Sequence, residues 1–480
     1  MSLGLRWTGH ALIDMGVAAV VLATGNKDPK EVTQAQWAQW MDELEQDYKN
    51  EHLKKPCSIL FTLNAFDNPS WQKNPAERTR KIEETFAYAR GKKSSLAFGE
   101  PCTFFPERLA VVRAARDLFP LLQGQRQLNF YPTGRPELPL SDLALGCVLS
   151  LPRVAPVVSG RLMIVGSERL ELVLDLCDIW KDELDRELAL LRAGKDWRDR
   201  KAPRTRLLEA LVEVFRMPKR YHFSLGGQEA SLTLYHLSNS GNAPGIDLYT
   251  VPPVVHRFLA RAGSAAYQAH WKALVQAFWF RKDKKDKQEQ PFEEADRLQA
   301  FNEVYERLSE LPLEVDGFIR RIFLRYVLSR VGVRRKLHTT DIDQWPLVEL
   351  FLKEIIGDVM HTDRIQMIRR LADELAREIH EQNDRRLYRQ LMGLASGTDA
   401  YRAFRALLLR ALRERLRREN QLLFTLEDYL LLFEEAEGFP SSDWRLVRDL
   451  IRIRVLEELY HRGFFQQAPE LLEEEINIEE

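Results

Sequence analysis

YHFSLGGQEASLTLY, residues 221–235, holds two short alternating runs, 221–225 and 231–235, with Gly226-Gly227 between them. Alternation at a period of two around paired glycines predicts an antiparallel hairpin, because glycine enters the positive-φ conformations of a tight turn without steric cost. A polar, glycine-rich stretch follows, HLSNSGNAPGIDLY at 236–249. Upstream, 168–191 is long and amphipathic and predicts a helix. Beyond Leu347 the period changes: 363–382, 400–423, 426–437 and 442–462 carry apolar residues at helical spacing, with breaks at Gly393, Gly397 and Gly438-Phe439-Pro440. The chain therefore reads as α+β: a mixed N-terminal region with a small antiparallel sheet, followed by an all-α C-terminal helical bundle. Residues 360–480 hold nineteen Arg, no Lys and twenty-four Asp and Glu. This shift in composition puts a domain boundary between Arg335 and Met360, dividing the chain into 1–345 and 346–480.

The first third is mixed. MGVAAVVLATG at 15–25 has the apolar character of a signal-peptide centre, but Asp14 borders it and no charged segment precedes it. It reads as a small-residue core helix stopped at Gly25. Thr33 is placed to cap a helix through Asp47 with Trp37, Trp40, Met41 and Leu44 on one face. CSILFTL at 57–63 predicts a short strand or buried segment, 78–90 a helix, and GKKSS at 91–95 a basic loop. KDWRDRKAPRTR at 195–206, with six Lys and Arg against two Asp, reads as a basic linker, and RKDKKDK at 281–287 as a charged loop.

With 480 residues, 45% hydrophobic and 29% charged, the chain has a globular balance and length for two to four domains. Lys and Arg number 70 against 71 Asp and Glu, so nucleic acid would be met by local patches and not by a uniformly basic surface. No run of 18 apolar residues exists, so no membrane span is expected. The four cysteines, Cys57, Cys102, Cys147 and Cys177, are too few for a disulfide scaffold and read as buried free thiols in a cytoplasmic protein.

The motifs of common enzymes are missing. There is no GxxxxGK[ST], no GxSxG and no HExxH, and GKKSS lacks the upstream glycine of a phosphate loop. Ten histidines are scattered without ligand spacing, and no CxxC occurs. No catalytic residue, metal or cofactor is expected.

Four blocks carry a resemblance. TGHALIDMGVAAVVLATG at 8–25 resembles the opening of the large subunit of type I-B CRISPR effector complexes (Cascade). LFTLNAFDNPSW at 60–71 is similar to that family's NSG-x-x-NPS block, with Asn64 and Asn68-Pro69-Ser70 in the matching places. RDLFPLLQGQRQLNFYPTG at 116–134 resembles its PL…NF-P block, and YHLSNSGNAPGIDLYTVP at 235–252 its N-x-G…ID-Y-LP block. The order and spacing agree over the first 250 residues; the helical end agrees in length and character. Family members often carry two CxxC pairs. Here the first place reads Cys102-Thr103-Phe104-Phe105 and the second Ser141-Asp142-Leu143-Ala144, so no zinc is expected.

The resemblance implies a non-catalytic subunit of an RNA-guided complex. It would read a protospacer-adjacent motif in duplex DNA and help stabilise the R-loop, while base pairing with the guide supplies long-range specificity. The implied partners are guide RNA, the Cascade backbone subunits and target double-stranded DNA. A small subunit is also implied, obtained in related systems as the free C-terminal domain from an internal start, here Met360 or Met367. A helicase-nuclease or a transposition adaptor would act downstream. Asn64, Asn68, Asn239, Ser240 and Asn242 are residue types that read base edges and sit in turn-rich segments; the alternative for each is a loop hydrogen bond. Lys92, Lys93, Arg198, Arg200, Lys201 and Arg204 are expected to contact phosphate. Arg402, Arg405, Arg410, Arg413 and Arg417 fall along one side of a helix and would track the displaced strand, or else pair with neighbouring Glu. Two other readings stay open: a metal-dependent nuclease with an unrecognised site, and a helical scaffold protein.

Overall fold

The computed structural model describes residues 3–61, 74–96, 99–122, 137–216, 230–239, 244–282, 289–291, 297–332, 337–357, 362–394, 400–433 and 443–472. The fold is α+β, with small antiparallel sheets and a helical C-terminal region. It forms two compact units: Met1–Pro253 with Phe292–Phe301, and Val254–Pro291 with Asn302–Glu480.

The first unit is built around α1 (Ala11–Thr24), in which every residue from Leu12 to Val21 is buried. A helix apolar on all sides belongs at the centre of a core. Its start is fixed by Asp14, whose carboxylate accepts from Thr8 N, Thr8 Oγ1 and Gly9 N at 2.7, 2.9 and 2.8 Å. Its end is Gly25, at φ 69°, as the sequence predicts. Next come α2 (Gln34–Lys49), α3 (Lys54–Leu60) and α4 (Pro75–Ala89). Thr33 forms a reciprocal capping box with Gln36 and buries Trp37, Trp40, Met41 and Leu44. Of the two readings of 57–63, strand or buried segment, the described part through Phe61 is buried and helical in α3 up to Leu60; a short apolar run has no period to separate strand from helix.

The chain continues through β1 (Val112–Ala114), β2 (Leu138–Leu140), α5 (Asp142–Ser150), β3 (Val157–Val158), β4 (Arg161–Gly166), α6 (Leu170–Arg192), α7 (Pro203–Arg216), β5 (Leu232–Ser238) and β6 (Gly245–Val251). Strands β3-β4-β5-β6 form one antiparallel sheet in chain order. Leu162 pairs with Leu237, and Leu234 with Tyr249. The second run of the expected hairpin is therefore a strand, paired with β4 and β6. Its proposed partner 221–225 and the turn at Gly226-Gly227 lie outside the described residues.

The second unit opens with α8 (Pro253–Ala262) and α9 (Gln268–Ala277), followed by the pair β7 (Trp279–Lys282) and β8 (Glu289–Pro291), then α10 (Glu303–Leu308). Helix α11, 315–330, widens to a π-turn at Ile319–Leu324, and α12, 345–356, does so at Leu352–Ile356. Then come α13 (Thr362–Glu381), α14 (Arg385–Met392), α15 (Ala400–Glu419), α16 (Leu426–Phe433) and α17 (Trp444–His461). Among the described residues no strand follows Leu347, and no helix is long and apolar enough to cross a membrane.

The expected boundary at 345/346 is displaced to Pro253. The reason is packing. Phe258 meets Phe351 edge-on at 5.5 Å, Phe318 stacks on Phe351 at 4.7 Å, and Arg261 pairs with Glu354. The apolar core thus reaches back through α8, although the loss of lysine begins near 360.

Helix α17 is the axis of this unit, with Arg448, Asp449, Arg452, Arg454 and Glu457 buried among its apolar residues. Glu457 accepts from Gln344 N at 2.6 Å, its other oxygen makes no hydrogen bond, and burial pushes its carboxyl up to about 7. Between the unfolded value near 4.5 and 7 the folded state holds a proton that the unfolded chain releases. Stability from this group is therefore fully present below the window and lost as pH rises through it. The expected result is that Glu457→Gln stabilises the second unit at pH 8 by about 2–3 kcal/mol and leaves it nearly unchanged at pH 4. Urea midpoints at the two pH values check this; equal shifts at both would contradict it.

Candidate nucleic-acid interface

The described parts of all four sequence blocks lie in the first unit, and hydrogen bonds and ring contacts join them. Asn239, at the end of β5, is fully buried. Its Nδ2 donates to Leu60 O at 2.9 Å and Arg116 O at 3.0 Å, while its Oδ1 accepts from Arg116 Nε at 3.1 Å and Leu121 N at 3.2 Å. Arg116 Nη2 also donates to Asn239 O at 2.7 Å, and Asn239 N donates to Ile59 O at 3.0 Å. Blocks 60–71, 116–134 and 235–252 are thereby tied at one node. The opening block joins through His10, whose ring lies 4.9 Å from Phe104 and 5.8 Å from Phe119. Burial pulls His10 down to about 4, so its imidazole is neutral at pH 7.

This geometry corrects one assignment. Asn239 spends both ends of its amide inside the protein and offers nothing to a base edge. Asn64, Asn68, Ser240 and Asn242 lie outside the described residues. In sequence, Asn64 follows the anchored Leu60 by four positions and Ser240 follows Asn239 directly. Arg116, which the sequence reading did not single out, is the node's second half; nothing in the sequence of its block sets it apart. Asn239→Ala is expected to cost about 1–3 kcal/mol of stability, because it strands two buried carbonyls and the Arg116 side chain. Chemical denaturation measures this, and a change below 0.5 kcal/mol, the scale of ordinary surface substitutions, would contradict the clamp.

The cations expected at phosphate fall into three groups. Lys92 and Lys201 are exposed. Lys93, Arg198 and Arg204 are engaged: Lys93 with Glu84 at 2.6 Å, Arg198 with Glu187 at 2.8 Å, and Arg204 over the Tyr249 ring at 4.7 Å. Arg200 is buried, 4% exposed. The reading of 195–206 as a linker is corrected accordingly. Arg200 and Thr205 are buried within it, and its last four residues open α7.

On α15 the arginines separate by face. Phe404, Leu407, Leu408, Ala411 and Arg415 are buried, while Arg402, Arg405, Arg413 and Arg417 are exposed and Arg410 is half-buried. At 100° per residue the five expected phosphate cations span an arc of about 140° opposite the core stripe. Arg410 lies 3.6 Å from Glu414, and Arg405 sits over the Tyr429 ring at 5.5 Å. Arg415 turns inward to Glu374, and Arg418 reaches Glu378 at 2.6 Å.

All four cysteines are buried free thiols, and burial raises Cys147 and Cys177 well above the usual range. Among the described residues no group of three or more His, Cys, Asp and Glu stands close enough to share a metal ion. Comparison with protein-family models, with curated proteins and with solved structures finds no match.

Proposed function

We propose that the chain is the non-catalytic large subunit of an RNA-guided type I-B CRISPR complex of the cytoplasm. It would read the protospacer-adjacent motif in duplex DNA and help hold the R-loop open. The observation that supports this reading is that the described parts of the four blocks lie together, three tied through Asn239 and Arg116 and the opening block in ring contact with Phe119 through His10. The motif readers are then Asn64, Asn68, Ser240 and Asn242, and Asn239 is a structural anchor. Lys92 and Lys201, with the solvent face of α15, supply phosphate contacts whose strength falls with salt. Guide RNA and the repeated backbone subunits are the partners within the complex, and a helicase-nuclease or a transposition adaptor the partner recruited to it.

A small subunit translated from Met360 or Met367 remains part of the proposal, with a structural condition. Met360 lies outside the described residues, and Met367 is buried within α13. Either start discards Arg320 and Gln344, which bond Asp449 and Glu457 of α17. A free copy would therefore need another chain to cover that face of α17.

Motif reading is tested on the assembled complex with duplex targets whose flanking motif is varied. Asn242→Ala is expected to weaken binding by about 1–3 kcal/mol for the correct motif alone, the size of a lost base contact. Equal weakening for every flanking sequence would contradict the base-reading role.

A further inference from the structure

Helices α6 and α7 and the turn at 297–298 enclose a cavity of about 380 Å³ in the first unit. That is within the size range of small-ligand pockets. Trp180, Val158 and Leu298 supply apolar wall, and five arginines line it against three glutamates. The charges there are unevenly matched. Glu209 takes Arg206 Nη1 at 2.5 Å and Arg297 Nη2 at 2.9 Å. Glu187, fully buried beside the cavity, takes Arg198 Nε at 2.9 Å and Nη2 at 2.8 Å. Among the described residues, Arg200 has long ion-pair approaches only, 3.7 Å to Glu183 and 3.8 Å to Glu187. It is 4% exposed and lines the cavity, yet its Nε and Nη1 are buried without a hydrogen-bond partner among the described residues.

A buried guanidinium with two unmet donors is costly. Loss of two or three charge-assisted bonds is not the ordinary state of an arginine in a protein interior, where such groups are paired. The carboxylate nearest to it, Glu183, has its pKa raised by burial. An oxyanion seated against Arg200 would meet one of these donors together with Nη2, because Nε–H and Nη1–H lie on different edges of the guanidinium. A planar fork matches two oxygens of one tetrahedral group, and exposed Arg186 at the rim adds a second cation to a doubly charged guest.

We propose that this cavity is a binding site for a phosphoryl group, with Arg200 as its central ligand and Arg186 as its rim cation. The site stands whether or not the chain reads DNA. The phosphoryl group belongs either to a small phosphate compound or to the 5′ end of a nucleic-acid strand; both present the same dianion to Arg200.

The test is calorimetric titration of the full chain with inorganic phosphate, at ionic strength held constant with sodium chloride. Saturable binding is expected, weakened about tenfold or more by Arg200→Gln, the loss of one charge-assisted contact. Glu213, an exposed acid lining the cavity, gives a variant that leaves the core untouched. Glu213→Gln is expected to tighten phosphate binding about two- to threefold, the scale of one exposed charge pair. Single strands bearing a 5′-phosphate or a 5′-hydroxyl separate the sources. A preference for the phosphorylated strand over inorganic phosphate identifies a strand end, and equal or weaker strand binding identifies a small compound. No saturable phosphate binding by the unmodified chain would overturn the proposal. So would an affinity unchanged in both Arg200→Gln and Glu213→Gln; if Arg200→Gln fails to fold, the Glu213→Gln result decides alone.

Discussion

Gly16→Ala is expected to destabilise the first unit by about 3 kcal/mol or more. Helices α1 and α5 cross at this residue. A Cβ on Gly16 would lie 2.2 Å from the carbonyl oxygen of Cys147, 2.5 Å from its carbonyl carbon and 2.8 Å from its Cα. All three are backbone atoms, so no rotamer change relieves the clash; one helix has to move. Neither can move cheaply, because α1 is buried from Leu12 to Val21 and α5 from Leu143 to Ser150. Overpacking in a tight core costs roughly 1–3 kcal/mol, and a helix-to-helix backbone clash belongs at or above the top of that range. Against a typical total of about 5–15 kcal/mol, this is a large share of the stability. The double variant Gly16→Ala with Cys147→Ala is a sharp control. It removes the sulfur and leaves the clashing carbonyl, so it should not rescue. A Gly16→Ala protein within 1 kcal/mol of the parent in urea would contradict the packing, since even ordinary overpacking costs that much.

Arg452→Met is expected to destabilise the second unit by about 3–5 kcal/mol, the cost of breaking a buried charged network. Arg452 is 4% exposed and donates to three carbonyls, Leu391 O at 3.0 Å, Met392 O at 3.0 Å and Leu394 O at 2.7 Å. These are the last carbonyls of α14 and the residues just after it, which a helix cannot satisfy by itself. Its Nη1 also donates to Asp449 at 3.2 Å. Burial lowers its own pKa to about 10, still well above neutrality, so the group is charged where it works. Lysine is not a substitute: one ammonium cannot span three carbonyls and a carboxylate from that position. Both variants should shift the urea midpoint, with Arg452→Lys no better than halfway back. A loss below 1 kcal/mol for Arg452→Met, the net worth of one ordinary hydrogen bond, would show that the carbonyls find other donors.

These arginines also show where the sequence misleads. The lysine-free end reads as a phosphate-binding composition, yet Arg415, Arg448, Arg452 and Arg454 are buried beside carboxylates or carbonyls. Composition cannot tell a guanidinium used for its fork inside a core from one aimed at solvent; for Arg415 and Arg454 a deciding neighbour lies 41 and 81 residues away, Glu374 and Asp373. At 195–206 the acids beside Arg198 and Arg200 come from the preceding helix α6, and Arg198 itself stays exposed. By contrast, features set by near neighbours were legible. The stop at Gly25, the Thr33 cap and the helices after Leu347 all follow from spacing within one or two turns. The node at Asn239 lies between these cases. An asparagine in a polar turn has the same sequence signature whether it reads a base or clamps a loop, and only the carbonyls of Leu60 and Arg116 separate the two.

The central claim is that this chain works on a guide RNA within a larger assembly. Its most direct test is purification through a tag on this chain after co-expression with its genomic neighbours, followed by sizing of any bound nucleic acid. The account predicts an RNA of uniform length, retained together with many copies of one backbone subunit. A chain that elutes alone and free of RNA while those neighbours are present would contradict it.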